Sequence, residues 1–381
     1  MNRTLLFATL SLSSAALLTA RESHALRCTA AAPIETTVSL AAGEQLGRFA
    51  INRAPDGTLW FAARVMPGRF ARRPRTRVIA GAFDLQNQRW IVAPTELASL
   101  PGRAELPLAL AVDDDRATVL VARPRSVLVR TLSRASALSA PVEWSAPRSA
   151  TGPALLDARA QHFAVLWRSP ARLSFVRGVA IETPAQQPSI THVTRRGALA
   201  GDNLAATIAG DQDSQWVLFA QRSGALSLAL VRGNAVVERL SQPAHCPNHC
   251  DRVEVEPTSE GAVVTFAMKV HGERLLRAFW ASRVGRSGNA TSAPTIPVLR
   301  GSALALDARA VAVAQLARPV ILRAIERPIA VTSSTASIAR AVRSWQTADE
   351  TLVVSTHERG ALSIARVQCA AQTSSAQRQP P

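Results

Sequence analysis

The densest cluster of potential metal ligands in this sequence is the segment His245-Cys246-Pro247-Asn248-His249-Cys250. Thiolate and imidazole groups bind zinc and copper, so the residue types suit a metal site. The spacing, however, matches neither a zinc finger nor the C-x-x-C-H motif of haem attachment. We therefore predict no metal site here and interpret Cys246 and Cys250 as a local disulfide.

Carboxylate pairs, which hydrolases use as general acid and base, are the next candidates. They occur at Asp113 to Asp115, at Glu254 with Glu256, and at Asp349 with Glu350. All of them fall at or beside predicted turns, where acidic side chains are common. The chain has no tyrosine, which excludes a tyrosine-nucleophile glycosidase, and it has no glycine-rich phosphate loop. The sequence predicts no catalytic residue and no cofactor.

The cations form the clearest chemical pattern, within a chain that has 44 Lys+Arg, 27 Asp+Glu and a net charge of +17. Seven short apolar segments recur along the chain, with acidic residues in the turn before each and cations in the turn after it. The predicted ligand-binding residues are seven cations, one from the turn that follows each apolar segment: Arg73, Arg125, Arg168, Arg222, Lys269, Arg318 and Arg359. We predict a basic face that binds an anionic envelope polymer or an acidic protein. Nucleic acid is not predicted, because few aromatic residues lie among the arginines.

The elements that must position these cations are predicted to be short strands in a repeat. The centres of the seven apolar segments are between 41 and 60 residues apart: Leu59–Phe61, Val119–Val121, Phe163–Val165, Trp216–Leu218, Val263–Thr265, Val311–Val313 and Leu352–Val354. Leu-Asp-Ala-Arg-Ala occurs at both 156–160 and 306–310. We predict an all-β fold, a seven-bladed β-propeller of four-stranded antiparallel blades. Two smaller all-β domains are the alternative.

One segment carries a family resemblance. Asp56-Gly57-Thr58-Leu59-Trp60-Phe61 resembles the D-G-x-L-W-F strand signature of bacterial sensor-type and related secreted propellers. It covers a single blade and indicates no specific family. The resemblance implies a tight turn at Asp56 and Gly57, and a tryptophan that packs between blades.

The first 25 residues are predicted to be a signal peptide, with Arg3 before an apolar stretch and small residues at two cleavage positions, Ala20 and Ala25. We expect a bacterial protein, secreted or periplasmic and monomeric. Residues 26–371 are predicted to form one propeller domain without a membrane span, followed by a disordered tail at 372–381.

Four cysteines in an exported chain favour two disulfides, and three pairings are possible. A Cys246–Cys250 bridge leaves Cys28 to pair with Cys369, which would join the two ends of the domain. The strand-like segment 34–40 is predicted to complete the last blade beside 362–367, so the ring is closed by N- and C-terminal strands.

The sequence therefore predicts a non-catalytic binding module. The alternative function is a secreted propeller hydrolase of the glycosidase or lactonase type. Acids clustered in a central funnel favour the enzyme, whereas acids confined to the turns favour the binding module.

Overall fold

A computed structural model describes residues 26–30, 33–103, 106–159, 161–169 and 351–371, and between 173 and 346 the strands alone. The described residues form an all-β fold of antiparallel sheets, with a single 3₁₀ turn at Glu358–Gly360. The predicted signal peptide at 1–25 and the predicted tail at 372–381 lie outside the described residues.

Six sheets of four strands follow one another along the chain. Two strands, β1 (Leu26–Ala30) and β2 (Ile34–Thr37), precede them. The first sheet contains β3 (Gln45–Arg53), β4 (Leu59–Met66), β5 (Arg75–Asp84) and β6 (Arg89–Pro101). The second contains β7 (Leu108–Val112), β8 (Arg116–Ala122), β9 (Ser126–Ser133) and β10 (Val142–Ser145). The third contains β11 (Leu155–Arg159), β12 (His162–Arg168), β13 (Leu173–Val179) and β14 (Thr191–His192).

The next three sheets have the same consecutive strand order. The fourth contains β15 (Ala206–Gly210), β16 (Ser214–Ala220), β17 (Ala225–Arg232) and β18 (Ala235–His245). The fifth contains β19 (Cys250–Thr258), β20 (Gly261–Val270), β21 (Glu273–Ser282) and β22 (Ile296–Pro297). The sixth contains β23 (Gly301–Ala305), β24 (Ala310–Gln315), β25 (Ile321–Ala324) and β26 (Pro328–Ala330).

The last sheet, here called the terminal sheet, combines strands from both ends of the chain. It contains β27 (Ala341–Gln346), β28 (Thr351–Thr356) and β29 (Ala361–Ala371), and both N-terminal strands pair with β29. In β2, Ile34 lies opposite Ile364 and Thr37 lies opposite Ala361. The predicted pairing of segment 34–40 beside 362–367 is therefore confirmed for Ile34–Thr37. The strand β1, which was not predicted, extends the same ladder.

The seven apolar segments of the sequence are the second strands of the seven sheets, namely β4, β8, β12, β16, β20, β24 and β28. The prediction of a four-stranded antiparallel unit is confirmed for six of the segments, whereas the terminal sheet around Leu352–Val354 has five strands. The strands β4 and β8 are apolar on both sides because neighbouring sheets cover both of their faces. In β4, Trp60 and Ala62 pack against the second sheet, whereas Phe61 and Val65 pack against the terminal sheet.

Tryptophans fill the spaces between sheets, as the resemblance implied. Trp60 is fully buried among residues of the first and second sheets. Trp144 and Trp167 are buried between the second and third sheets, where the rings of Trp144 and Phe163 have centroids 5.1 Å apart. Large aromatic surfaces buried between sheets contribute strongly to holding them together.

The first strands of successive sheets contact one another. These contacts join β3 with β7, β7 with β11, β11 with β15, β15 with β19, β19 with β23, β23 with β27, and β27 with β3. Each first strand therefore contacts the first strand of the next sheet, and between the first and second, second and third, and first and terminal sheets a described core adds to this contact.

Candidate anion-binding surface

The predicted cations lie in, or at the end of the strand before, the connections between the second and third strands. Because all strands in a sheet are antiparallel, these connections lie at the opposite end of the sheet from the turn that joins the first and second strands. The described connections are 67–74 in the first sheet, 123–125 in the second and 357–360 in the terminal sheet. We call this end of the sheets the basic end and the opposite one the acidic end.

The connection 67–74 is the most cationic part of the basic end. Its arginines Arg69, Arg72 and Arg73 are all exposed, and they form no ion pair with any residue that the structure describes. The segment contains no acidic residue. Three adjacent, uncompensated guanidinium groups produce a positive potential that attracts anions.

The structure places the seven predicted binding residues in different environments. Arg73, Arg125 and Arg359 are exposed in the connections, as predicted. Arg168 is the last residue of β12 and is half-buried, and burial lowers its pKa because the charged form is poorly solvated there. The backbone of Lys269 lies within β20, opposite Arg274. Arg222 and Arg318 lie outside the described residues.

The Arg359 position is fixed by an unusual turn. Arg359 has a φ of 56° and Gly360 a φ of 81°, so both occupy the left-handed region. A Cβ atom on Gly360 would lie 2.3 Å from the Val38 carbonyl oxygen, so only glycine fits. The Val38 amide donates to the Gly360 carbonyl at 2.9 Å, which ties the N-terminal segment to this turn.

Sequence reasoning missed two acids at the basic end. Glu44 accepts a hydrogen bond from Arg77 at 2.5 Å, and Glu143 contacts Arg123 at 3.1 Å. Burial raises the pKa of Glu44, but hydrogen bonds from Arg77 and the Ala41 amide outweigh burial and lower it. The pKa of Glu143 is lowered, first by a hydrogen bond from Ser126 and then by Arg123. These two acids neutralise two of the cations at this end.

Arg64 follows the first apolar segment in the sequence and would by its position count among the cations after it, but it is not exposed. Its side chain is fully buried in β4. It donates to the carbonyls of Leu106 at 2.7 Å, Pro107 at 3.2 Å and Ala122 at 2.9 Å. Arg64 therefore connects the first sheet to the second and is not available to a ligand.

The acidic end is also partly neutralised. Asp56 forms an ion pair with Arg134, which comes from the second sheet, and Asp113 contacts Arg116 at 3.0 Å. Burial raises the pKa of Asp56, but hydrogen bonds from Arg134 and Thr58 outweigh burial and lower it. The tight turn implied by the resemblance is present, since Gly57 has a φ of 91° and the Thr58 amide donates to Asp56 at 2.9 Å.

Three acids that were predicted in or beside turns lie within strands instead: Asp157, the acid before the apolar segment Phe163–Val165, and the pair Glu254 and Glu256. Asp157 pairs with Ala164 in the middle of the β11 ladder. Glu254 and Glu256 lie two residues apart in β19, opposite Thr265 and Val263. Their flanking residues are also paired, so the chain does not turn at these positions. Asp113 to Asp115 do lie at the connection between β7 and β8, as predicted, whereas the pair at 349–350 is outside the described residues.

The backbone pairs Cys28 of β1 directly with Cys369 of β29. Cys250 begins β19 and His245 ends β18, whereas residues 246–249 lie outside the described part of the chain. Within the described residues, no three His, Cys, Asp or Glu side chains lie close enough together to hold a metal ion. No helix among them has the length and apolar character needed to cross a membrane.

No protein-family model and no curated protein matches this chain. Solved structures that are similar to it include the following two. One is the computationally designed protein Ika8, 13% identical with a TM-score of 0.42, over 88% of this chain and 96% of that one. The other is a protein of unknown function from Dyadobacter fermentans, 9% identical with a TM-score of 0.47, over 91% of this chain and 99% of that one. Both scores are too low to carry an argument.

Proposed function

We propose that this chain is an exported, non-catalytic seven-bladed β-propeller that binds an anionic envelope polymer or an acidic protein through its basic end. The observation that carries the proposal is the group of exposed arginines in the connection 67–74, to which Arg125 and Arg359 add charge from two other sheets. The exported location rests on the signal-peptide features of residues 1–25, and N-terminal sequencing of the protein from the periplasm or medium tests it.

The contacts between first strands support the ring. Each first strand touches the next one in sequence, and β27 touches β3, so the order returns to its starting point. A closed ring would place the first strands around a central channel and the connections on two opposite surfaces. The seven second-to-third connections would then share one surface, which is what a multivalent anion-binding surface requires.

The terminal sheet supports closure of the ring by both ends of the chain. The opposition of Cys28 and Cys369 in the β1–β29 ladder suits a cross-strand disulfide, formed when an exported thiol–disulfide oxidant accepts two electrons and two protons from the thiols. Peptide mapping without reduction should recover a Cys28–Cys369 crosslink. Both cysteines recovered as free thiols, or Cys28 linked to Cys246, would contradict the proposal.

Retention on an immobilised anionic polymer tests the binding function. The triple variant Arg73→Gln, Arg125→Gln and Arg359→Gln removes three exposed charges from three connections. Each cation near an anionic surface contributes about 1 kcal/mol, so the triple variant should bind about a hundredfold more weakly at physiological salt. Adding salt should reduce the difference in affinity between the wild type and the triple variant, because salt screens exposed charges.

A matched control removes the same number of charges from the acidic end. Arg89→Gln, Arg116→Gln and Arg134→Gln change the net charge equally. They break two ion pairs, the partly exposed Arg134–Asp56 pair and the Arg116–Asp113 pair, in which Asp113 is buried. Retention should fall much less in this control. Equal losses in the two triple variants would show that net charge alone governs binding and would refute a specific basic end.

One observation favours a hydrolase as the second candidate. Asp157, Glu254 and Glu256 lie on the first strands β11 and β19, and in a closed ring the first strands surround the central channel. Carboxylates at that place could act as a general acid and base. A screen of glycoside and lactone substrates, with Glu254→Gln as the inactive control, separates the two functions: turnover lost in the variant supports the enzyme.

A further inference from the structure

Phe70 is the most exposed large apolar side chain that the structure describes. It is 91% exposed, whereas the other exposed large apolar residue, Ile91, is 41% exposed. Phe70 lies within the connection 67–74, directly after Arg69 and two residues before Arg72. A single exposed apolar side chain is common on protein surfaces. What distinguishes Phe70 is that its ring is almost fully exposed beside the exposed cations Arg69, Arg72 and Arg73, so one short segment offers both an apolar and a cationic contact.

The connection that carries Phe70 is held firmly at its base. Arg103 donates to the Gly68 carbonyl at 2.8 Å, and the Ala71 amide donates to the same carbonyl at 3.0 Å. At its other side the Gly102 amide donates to the Pro74 carbonyl at 2.9 Å, and the Thr76 hydroxyl donates to the Gly102 carbonyl at 2.8 Å. The tip of the connection, residues 69–73, is therefore held on a fixed base, which reduces the conformational entropy lost on binding.

The shape and charge of the tip fit a bilayer surface better than a rigid polymer. The ring projects outward, so its partner must deform around it or supply a pocket. The headgroup region of a membrane does this, because aromatic rings enter it while cations remain at the level of the phosphates. Arginine also matches phosphate oxygens with two parallel hydrogen bonds.

We propose that the connection 67–74 docks the protein on an anionic phospholipid surface, with Phe70 inserted between headgroups and Arg69, Arg72 and Arg73 bound to lipid phosphates. This inference rests on the proposed function in that the basic end must attract anions. It adds the partner, a lipid bilayer, and the residue that enters it. Membrane binding here is peripheral, since one ring and three cations reach only the headgroup layer.

Vesicle flotation with the full chain tests the inference. Vesicles of phosphatidylcholine and phosphatidylglycerol in equal parts should bind the protein, and pure phosphatidylcholine vesicles should not. Phe70→Ser should weaken binding about tenfold, from the apolar area no longer removed from water. Arg72→Gln with Arg73→Gln should weaken it by about twenty-five-fold, at about fivefold for each cation.

Matched controls lie at the acidic end of the same sheet. Ile91→Ser removes an exposed apolar side chain and Arg89→Gln an exposed cation, and neither should change flotation. Phe70→Trp supplies a reporter at this position when its emission is compared with that of the wild type, which has seven tryptophans. Its fluorescence should shift to the blue on the mixed vesicles and be quenched by brominated lipid.

The outcomes separate this inference from the proposed function. If the protein is retained on an anionic polymer but does not float with mixed vesicles, the proposal that a bilayer is the partner is wrong, and the proposal that the basic end binds anions stands. Flotation could depend on Arg72 and Arg73 while Phe70→Ser leaves it unchanged and Phe70→Trp shows no fluorescence shift on the vesicles. In that case the proposed insertion of Phe70 between headgroups is wrong. If neither polymer nor vesicle binds, both proposals fail.

Discussion

Replacing Arg64 by methionine should strongly destabilise the contact between the first and second sheets. The guanidinium group is fully buried and donates to three backbone carbonyls, at Leu106, Pro107 and Ala122. Leu106 and Pro107 lead into β7, and Ala122 ends β8, so all three acceptors belong to the neighbouring sheet or its entry. Methionine fills the space of the aliphatic part of arginine, is too short to reach the place of the guanidinium group, and donates no hydrogen bond.

The magnitude follows from these three contacts. A buried carbonyl that loses its donor costs about 1–3 kcal/mol. The Pro107 carbonyl keeps a second donor, the Ala122 amide at 3.0 Å, so the loss comes from the other two carbonyls and is about 2–6 kcal/mol. Part of this is offset because the variant no longer has to bury a charged group. We expect a net loss of about 3 kcal/mol, a large fraction of the 5–15 kcal/mol that typically stabilises a folded domain.

Guanidinium unfolding followed by tryptophan fluorescence measures the effect, because Trp60 lies in the core between the same two sheets. Arg64→Lys should lose less, since an ammonium group keeps the charge and reaches some of the carbonyls. Arg48→Met, at an exposed position in the neighbouring β3, should change the free energy of unfolding by less than about 0.5 kcal/mol. If Arg64→Met lowers the free energy of unfolding by less than about 1 kcal/mol, Arg64 does not stabilise the contact between the first and second sheets.

Two further predictions concern turns at opposite ends of the sheets. Gly360→Ala should lower the free energy of unfolding by more than about 2 kcal/mol, because its Cβ would lie 2.3 Å from the Val38 carbonyl oxygen. Gly102 has a similar φ but open space around it, so Gly102→Ala should lower the free energy of unfolding by only about 1 kcal/mol. Equal losses in the two variants would rule out the clash at Gly360. Asp56 has a lowered pKa in the folded protein, so its stabilisation is present above about pH 4 and is lost as the pH falls through the folded pKa. The melting temperature of Asp56→Asn should therefore be lower than that of the wild type at neutral pH and approach it in acid. A difference in melting temperature that stays constant over this pH range would contradict the pairing of Asp56 with Arg134.

The repeat could be predicted from sequence because its signal is local. A strand that is covered on both faces must be apolar at every position, so each second strand stands out as a short continuous apolar segment. The turn at Asp56 and Gly57 could be predicted for the same reason, since its residue types are set by backbone geometry. The pairing of Ile34–Thr37 with β29 followed from the need to complete a sheet.

The details of the surface could not be predicted, because they depend on residues far apart in the chain. Arg64 lies close in sequence to the exposed Arg69, yet its partners are more than forty residues away. Glu44 reaches Arg77, and Glu143 reaches Arg123, only after the sheets form. No local pattern distinguishes a buried arginine from an exposed one, or an acid in a strand such as Asp157 from an acid in a turn.

Hydrogen exchange with and without a bound sulfated polysaccharide tests the central claim most directly, because it reports where the ligand lies on the folded chain. The account predicts slower exchange at the connections 67–74, 123–125 and 357–360, and no change at the acidic-end turns 54–58 and 113–116. Protection confined to the acidic-end turns, or spread equally over both ends, would contradict a binding surface at the basic end.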